Sequence, residues 1–230
     1  MATKGGIRWV SVCIAAAAFA GRAPGDALSD VLSRMDKSAQ TFESMSANIT
    51  QLTHTAVIDE NDQQSGSVRL KRASGGVLGF VQFTSPQPLV VAFRNRKVEK
   101  YYPKTNVVEE YDVDKYGEQL DQFILLGFGA SGKDLQKNYR IRLVDAEPLA
   151  GKPATHIELI PKSKEALEYL KRAELWIPDD AAYPLQEKLW KNADDYVLIN
   201  YSNVKLNPPL TDKDFELRLP PGVKRITPGK

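Results

Sequence analysis

The feature that most constrains the fold is the stretch 66–102, in which three runs rich in Val, Phe and Tyr are separated by turn residues. The runs cover 68–72, 77–84 and 89–102, and a Gly-Gly pair and a Pro-Gln-Pro segment stand between them. β-Branched and aromatic residues favour strands, and short breaks containing Gly or Pro favour tight turns. The stretch therefore predicts neighbouring strands joined by short turns.

Alternation of side chains in the first run assigns one face of the predicted sheet. Val68 and Leu70 alternate with Arg69 and Lys71, and successive side chains of a strand point to opposite faces. The same alternation places Arg72 on the apolar face, where an arginine is costly unless it is paired or hydrogen-bonded. Two interpretations stay open: the arginine reaches water from the strand end, or it lies at a cavity mouth and donates to backbone carbonyls of a covering helix.

The remainder of the chain predicts one helix followed by many strands. Apolar residues recur at three- and four-residue steps over 28–45, which is typical of an amphipathic helix. Further strands are predicted at 47–51, 107–113, 139–144, 154–161, 173–177, 185–190, 196–204 and 215–219, with a short helix at 163–169. Since about ten strands exceed what a flat open sheet usually carries, we expect a mainly β antiparallel meander curled into an incomplete barrel, or half-barrel.

The stretch 118–128 interrupts the strand pattern. Its apolar residues cover too much of a helix for packing on one side only, and Gly127 and Gly129 end it. It is either a buried core helix or a movable lid over a cavity. The sequence has no internal repeat and no Pro/Ser-rich linker, so we expect a single domain over 28–226.

Residues 1–20 have the pattern of a secretory signal peptide, with Lys4 and Arg8 before a mostly apolar run and an A-x-A-like end. A second small-residue site allows cleavage as late as residue 27. The only cysteine, Cys13, lies inside this segment, so the mature chain is expected to have no disulfide. Removing Lys4 and Arg8 from the 31 basic side chains leaves 29 against 29 acidic ones, and no dense basic cluster indicates a nucleic-acid partner.

Catalytic and metal-binding patterns are weak in this sequence. The two histidines, His54 and His156, lie in predicted strands without metal-ligand spacing, and acidic pairs lie in turns or on strand faces. The glycines at 127, 129 and 132 follow a predicted helix rather than a strand, so they lack the context of a dinucleotide-binding turn. We predict no catalytic residue, no metal and no cofactor.

Several segments, taken in order, resemble one known family. They are the 42–51 segment after the first helix, the G-x-V-R-L-K-R strand at 66–72, the aromatic-T-x-P turn at 83–86, the Y-Y-P turn at 101–103 and the F-x-L-x-L-P-P-G-V ending at 215–223. Together they cover nearly the whole mature chain. The sequence resembles the LolA-type periplasmic carriers of outer-membrane lipoproteins.

The resemblance implies an incomplete antiparallel β-barrel with an N-terminal helix and a lid helix over a hydrophobic cavity for acyl chains. It implies a monomer in the periplasm that takes lipoproteins, or another lipid, from an inner-membrane exporter to an outer-membrane acceptor without a cofactor. The family's functional arginine falls on Arg72. The candidate lining is Val68, Leu70, Val81, Phe83, Leu89, Val91 and Phe93, with Ile124, Leu125 and Phe128 on the lid.

Two other functions remain open at this point. A protein of the same fold could sense lipid and signal to a membrane partner. A secreted hydrolase could use Glu and Asp side chains in the cavity. A pair of carboxylates at the cavity floor would favour the hydrolase, whereas apolar walls would favour a binding protein.

Overall fold

One twelve-stranded sheet dominates the computed structural model, which describes residues 24–113, 124–146 and 148–228. The strands in chain order are β1 Ser44–Thr55, β2 Glu60–Ala73, β3 Gly76–Ser85, β4 Leu89–Arg94, β5 Lys97–Tyr102, β6 Val107–Asp112, β7 Tyr139–Ala146, β8 Ala154–Pro161, β9 Arg172–Pro178, β10 Gln186–Trp190, β11 Tyr196–Leu206 and β12 Lys224–Ile226. The helices are α1 Pro24–Thr41, α2 Gly132–Asn138 and α3 Lys164–Tyr169.

The sheet is antiparallel apart from one pair at its edge and does not close on itself. Its spatial order is β12-β6-β5-β4-β3-β2-β1-β11-β10-β9-β8-β7, so β12 and β7 form the two edges. The pairing of β1 with β11 joins an N-terminal group of strands to a C-terminal group. This open sheet with an N-terminal helix is the predicted incomplete barrel.

Helix α1 ends earlier than its periodicity predicted. The prediction continued to residue 45, but the helix stops at Thr41 and β1 begins at Ser44. Asn207 fixes this junction because its side chain accepts from the backbone N–H of Glu43 at 2.9 Å and donates to the carbonyl of Thr41 at 2.8 Å. Met45, which continues the helical apolar pattern, is instead fully buried near the start of β1.

The inner face of the sheet, the one that carries Val68 and Leu70, has two apolar halves. The helix-covered half lies under α1 and α2 and consists of Val31, Leu32, Met35, Leu126, Leu135, Tyr139, Ile157, Leu159, Leu170, Ala173, Leu175 and Ile177. The segment-covered half consists of Phe42, Met45, Ala47, Ile49, Val68, Leu70, Phe83 and Phe128. Strand alternation therefore places both apolar groups of sheet residues on one face, under two different covers.

The C-terminal strand predicted at 215–219 is wrong. Residues Asp212–Phe215 form a 3₁₀ turn with a capping box between Thr211 and Asp214, and no strand follows before β12. Phe215 is fully buried on the outer face of the sheet, against Phe80 and Ala92. This segment is therefore held by side-chain packing on the outer face of the sheet and not by backbone pairing with a strand.

Two further elements were not expected from the sequence pattern. Strand β12 pairs with β6 in parallel, which departs from a purely antiparallel sheet. Helix α2 begins after Ser131, whose hydroxyl accepts from the backbone N–H of Asp134 at 3.0 Å. The carboxylate of Asp36 on α1 accepts from the backbone N–H of Lys133 at 3.1 Å, so α2 is held against α1.

Candidate functional site

The segment-covered half is the candidate site because the residues that cover it at 125–129 form turns, whereas α1 and α2 cover the other half. Inner-facing side chains of adjacent strands are aligned by register: Met45 of β1 pairs with Leu70 of β2, and Ala47 pairs with Val68. Phe83 extends the same surface onto β3. These rows form a continuous hydrocarbon surface, which strand alternation alone dictates.

Residues 124–129, here called the covering segment, close this surface. Of the predicted helix 118–128, Ile124 is helical, whereas 125–128 are turns, so the prediction is wrong for those four residues; residues 118–123 lie outside the described residues. The backbone N–H of Phe128 donates to the carbonyl of Leu125 at 2.9 Å. Phe128 is 2% exposed and packs into the segment-covered half, whereas Leu126 is 3% exposed and packs into the helix-covered half.

Two glycines allow the covering segment to lie this close to the sheet. Gly127 and Gly129 have φ angles of 81° and 79°, in the left-handed region that glycine tolerates best. A Cβ at Gly129 would lie 2.4 Å from Cδ1 of Phe42, and one at Gly127 would lie 2.6 Å from Oε1 of Glu187. The cover therefore depends on glycine both for its backbone conformation and for its close approach.

Arg72 links the covering segment to the end of α1. Its Nη1 donates to the carbonyl of Ala39 at 3.0 Å, and its Nη2 donates to the carbonyl of Gly129. The last carbonyls of a helix have no intrahelical partner, so a cation is favourable there. The guanidinium also lies 5.5 Å from the ring centroid of Phe42. The predicted hydrogen bonds to backbone carbonyls are thus confirmed, although Arg72 also remains exposed to water.

The structure brings together eight of the ten predicted apolar site residues. Val68, Leu70, Val81, Phe83, Leu89, Ile124, Leu125 and Phe128 all belong to or pack against the segment-covered half. Val91 and Phe93 lie on the same face of β4 by alternation but outside this cluster. The predicted lining therefore contacts the predicted lid, and the two form one packed layer.

A groove of about 550 Å³ lies on the opposite face of the same strands. Its side chains are largely polar and include Ser46, Asn48, Ser67, Arg69 and Lys205. This groove does not match the predicted apolar cavity, because alternation separates its side chains from Val68 and Leu70.

Glu187 is the residue that the prediction missed. It is 4% exposed and lies on β10 where the two apolar halves meet, paired with Leu175 on one side and Ile199 on the other. Its Oε2 accepts from the hydroxyl of Tyr201 at 3.0 Å. Burial raises the pKa of Glu187 from 4.5 to about 8, against the opposing effect of that hydrogen bond. The signal was available, since Glu187 shares a strand face with Leu185 and Leu189.

The other titratable groups singled out in the sequence lie away from this site. Nε2 of His156 is 3.1 Å from Glu174, and the ring stacks on Trp176 at 4.0 Å. Nδ1 of His54 lies 3.0 Å from Oδ1 of Asn61. Glu187 is the one buried carboxylic acid in the described part of the chain. Within the same residues, no group of three or more His, Cys, Asp or Glu side chains is placed to hold a metal ion.

The fold is an incomplete, mainly antiparallel barrel whose apolar inner face is covered by α1, α2 and the covering segment. A family model described as outer membrane lipoprotein carrier protein LolA matches residues 40–218. The chain belongs to the LolA family, as its motifs predicted. No curated protein matches the chain at a significant level.

Solved structures with this fold are similar to the chain at low sequence identity. An uncharacterised conserved protein from Thermus thermophilus is 14% identical, with a TM-score of 0.54 and coverage of 86% of this chain and 98% of that one. A LolA superfamily protein from Nitrosomonas europaea is 14% identical, with a TM-score of 0.40 and coverage of 83% and 98%. A chain of the Pseudomonas aeruginosa MucA/MucB complex is 14% identical, with a TM-score of 0.46 and coverage of 83% and 61%.

Membrane-spanning helices were sought among the described residues. None of the helices there is long and apolar enough to cross a bilayer.

Proposed function

We propose that this protein is a periplasmic carrier that shelters the acyl chains of a lipoprotein, or of another lipid, against the segment-covered half. The observation that supports this most is an apolar sheet surface packed against the covering segment, which Arg72 hydrogen-bonds to the end of α1. The family match to outer membrane lipoprotein carriers supports lipoprotein acyl chains as the class of cargo. The domain extends over 28–226, following a cleaved segment 1–20.

The energetics of a carrier require both an apolar surface and a competitor for it. Each methylene removed from water contributes about 0.8 kcal/mol, so several acyl chains would bind too tightly to be released from an empty apolar cavity. In the closed structure Phe128, Leu125 and Ile124 occupy the surface that the chains would take. Cargo has to displace these contacts, and that reduces its net affinity to a level that permits transfer.

Arg72 controls this exchange in the proposed mechanism. Its two hydrogen bonds stabilise the closed arrangement by joining Gly129 to the end of α1. When the covering segment withdraws, the guanidinium loses the Gly129 carbonyl, and this loss favours closure again. Arg72 therefore promotes release of bound lipid, and the released acyl chains pass to an outer-membrane acceptor.

The test is a charge placed on each face of the same strand. Leu70→Asp puts a carboxylate into the apolar surface and should abolish binding of a fluorescent fatty acid, because an unpaired buried charge costs several kcal/mol. Ser67→Asp on the outer face of β2 is the matched control and should bind normally. If Leu70→Asp does not fold by circular dichroism, Leu89→Asp at the partly buried margin replaces it.

Equal binding by wild type and the inner-face variants would refute the assigned surface. A second experiment distinguishes a carrier from a sensor by identifying the lipids and proteins that co-purify with the native protein. Co-purified lipid with transfer to an acceptor membrane supports the carrier. A stable complex with a transmembrane regulator, without transfer of lipid, would support a lipid sensor instead of a carrier.

A further inference from the structure

The outer-face groove between β1, β2 and β11 has no part in the proposed shelter for acyl chains. Its volume of about 550 Å³ is within the range of small-molecule sites, but its side chains are largely polar. These three strands are neighbours in the middle of the sheet. Their backbone separates the groove from the side chains of Val68 and Leu70 on the inner face, so a ligand here can be tested independently of lipid.

A bulge in β11 shapes the groove. Ser46 of β1 pairs with Lys205, whereas Asn48 pairs with Ser202, so β11 has one extra residue between these two pairs. Asn203 lies in this bulge with a φ of 52°, in the left-handed region where asparagine is one of the few non-glycine residues commonly found. Bulges change the direction of side chains and are frequent next to functional sites, and Asn203 lines the groove.

Two cations lie on one row across the sheet in this groove. Arg69 of β2 and Lys205 of β11 both pair with Ser46 of β1, which stands between them. Neighbouring strands are about 4.8 Å apart, so the Cα atoms of the two cations are roughly 10 Å apart and their long side chains can meet over the serine hydroxyl. The next row adds the amide of Asn48 and the hydroxyl of Ser67, which pair with each other. No acidic side chain of the described residues lines the groove.

Stacking, and not hydrogen bonding, holds the guanidinium of Arg69. It lies 4.5 Å from the ring centroid of Phe80, which is 8% exposed. Its Nε is buried without a hydrogen-bond partner, and neither Arg69 nor Lys205 forms a salt bridge within the described ranges. Hydrogen bonds from Thr211 are the main cause that lowers the pKa of Asp214, and the charge of Arg69 contributes less, so this carboxylate is already bound by Thr211. A cation that is positioned but lacks an acceptor is available to an anionic ligand.

We propose that the groove binds a small polyol phosphate, a phosphate monoester whose alcohol part carries further hydroxyls. The phosphate lies over Ser46 between Arg69 and Lys205, because its three terminal oxygens can accept from a hydroxyl, a guanidinium and an ammonium together. A carboxylate has only two oxygens, which one guanidinium already satisfies. The amides of Asn48 and Asn203 both donate and accept, which suits the hydroxyls of the polyol.

A soluble ester fits this groove better than the headgroups of an anionic bilayer. Asp212, whose carboxylate accepts from Nζ of Lys71 on β2 at 2.8 Å, and Asp214, within range of the charge of Arg69, lie beside the groove. A flat anionic membrane would be repelled by these carboxylates, whereas a small ligand need not approach them. The ligand is therefore a discrete phosphate ester, and binding to vesicles is the contrary outcome.

Isothermal titration calorimetry of the purified protein at pH 7 and low ionic strength tests the ligand class. The probes are glucose 6-phosphate, inorganic phosphate, glucuronate and glucose. Glucose 6-phosphate should bind about tenfold more tightly than glucuronate or inorganic phosphate, and glucose should give no binding heat. Raising NaCl to about 0.3 M should weaken the binding several-fold, since salt screens charges near solvent.

Variants separate the two cations from a general effect of charge. Arg69→Gln should weaken glucose 6-phosphate binding about tenfold and Lys205→Gln roughly threefold, because the exposed lysine is screened more. Lys133→Gln, at an exposed position on α2, removes the same charge away from the groove and is the matched control. Asn203→Gly keeps the left-handed backbone but removes the amide, so it should weaken the sugar phosphate and leave inorganic phosphate unchanged. Circular dichroism checks folding, and Lys205→Gln carries the test if Arg69→Gln does not fold.

The contrary outcomes are distinct. No binding of glucose 6-phosphate to wild type, unchanged binding in both groove-cation variants, or equal weakening by Lys133→Gln would overturn the site. Glucuronate binding as tightly as glucose 6-phosphate would overturn the phosphate class. Binding to phosphatidylglycerol vesicles without binding of a soluble ester would overturn the proposal in favour of membrane contact. Because lipid binding is tested by Leu70→Asp on the inner face, failure of the groove leaves the proposed carrier function intact.

Discussion

The two apolar halves of the inner face differ in how they are covered. In the helix-covered half, Ile157, Leu159, Leu175 and Ile177 are all 0% exposed beneath α1 and α2. In the segment-covered half, the sheet residues Val68 and Leu70 remain 8% and 7% exposed, and many of their apolar neighbours are only partly buried. The same sheet therefore carries one sealed core and one less completely closed surface.

The covers also differ in what holds them. Helix α1 contributes three buried apolar side chains to its half, and Arg34 further donates to the carbonyl of Ala181 at 2.8 Å. Residues 125–129 of the covering segment are turns, and their position depends on two glycines and Arg72. A region that opens locally is expected where apolar contacts are few and hydrogen bonds are exposed. The comparison thus assigns stability to one half and the proposed exchange of lipid to the other.

The largest expected difference comes from the same truncation in each half. Leu175→Ala should lower the free energy of unfolding by about 2–5 kcal/mol, because it leaves a cavity in a fully buried core. Leu125→Ala, in the covering segment, should cost roughly 1 kcal/mol since its side chain is only partly buried. Urea denaturation measures both. Equal losses would mean that the two halves form one indivisible core.

The pH dependence of stability tests whether the carboxyl group of Glu187 is buried between the two halves. The pKa of Glu187 is raised from 4.5 to about 8 in the folded protein, so the folded state holds its proton more tightly than the unfolded state. This contribution to stability is fully present below about pH 4.5 and is lost as the pH rises through 8. Relative to Glu187→Gln, wild type should lose a few kcal/mol between pH 5 and pH 8 in urea titrations. A parallel pH dependence in both proteins would contradict a buried carboxyl.

Gly129→Ala should loosen the cover specifically. The added Cβ would lie 2.4 Å from the ring of Phe42, and the alanine would have to adopt a φ of 79°. The free energy of unfolding should fall by about 2–4 kcal/mol. Gly151→Ala is the matched control because it has the same φ of 79° with nothing within 4 Å, and it should cost only about 1–2 kcal/mol. The first variant should also bind the fluorescent fatty acid more tightly, as the closed competitor is weakened. Unchanged affinity would mean that the cover does not compete with lipid.

The smallest effect on stability is expected at Arg72. Arg72→Leu removes two hydrogen bonds from an exposed guanidinium and should cost roughly 1 kcal/mol. Its informative readouts are faster hydrogen exchange at the Phe128 amide and slower release of bound lipid. Arg72→Lys keeps the charge but cannot hold both carbonyls in the same geometry, so it should behave nearly as poorly. Wild-type exchange and release in Arg72→Leu would end the proposed role of this arginine.

Local sequence patterns predicted most of the framework. Alternation over Val68, Leu70 and Arg72 gave their common face, and turn residues separated β2 from β3 and β3 from β4. The single run 89–102, however, holds two strands, β4 and β5. The strand predicted at 154–161 coincides with the observed Ala154–Pro161. These succeed because side-chain alternation and turn preferences are properties of a few neighbouring residues.

Elements that depend on distant partners could not be predicted in this way. Phe215 and Leu217 alternate as in a strand, but the capping box at Thr211 and Asp214 turns the chain and Phe215 enters the outer-face cluster. Strand β12 is defined only by its parallel pairing with β6. The packing of Phe215 on Phe80 and the pairing of β12 with β6 both join residues far apart in the sequence.

The amino-acid sequence by itself determined the strand-rich class, the apolar inner face, the position of Arg72 and the family. The tertiary structure decided which cover lies over each half, that Arg72 joins that cover to α1, and that Glu187 is buried between the halves. Periodicity specifies the face of a side chain, whereas burial and hydrogen-bond partners depend on which other segments fold against that face.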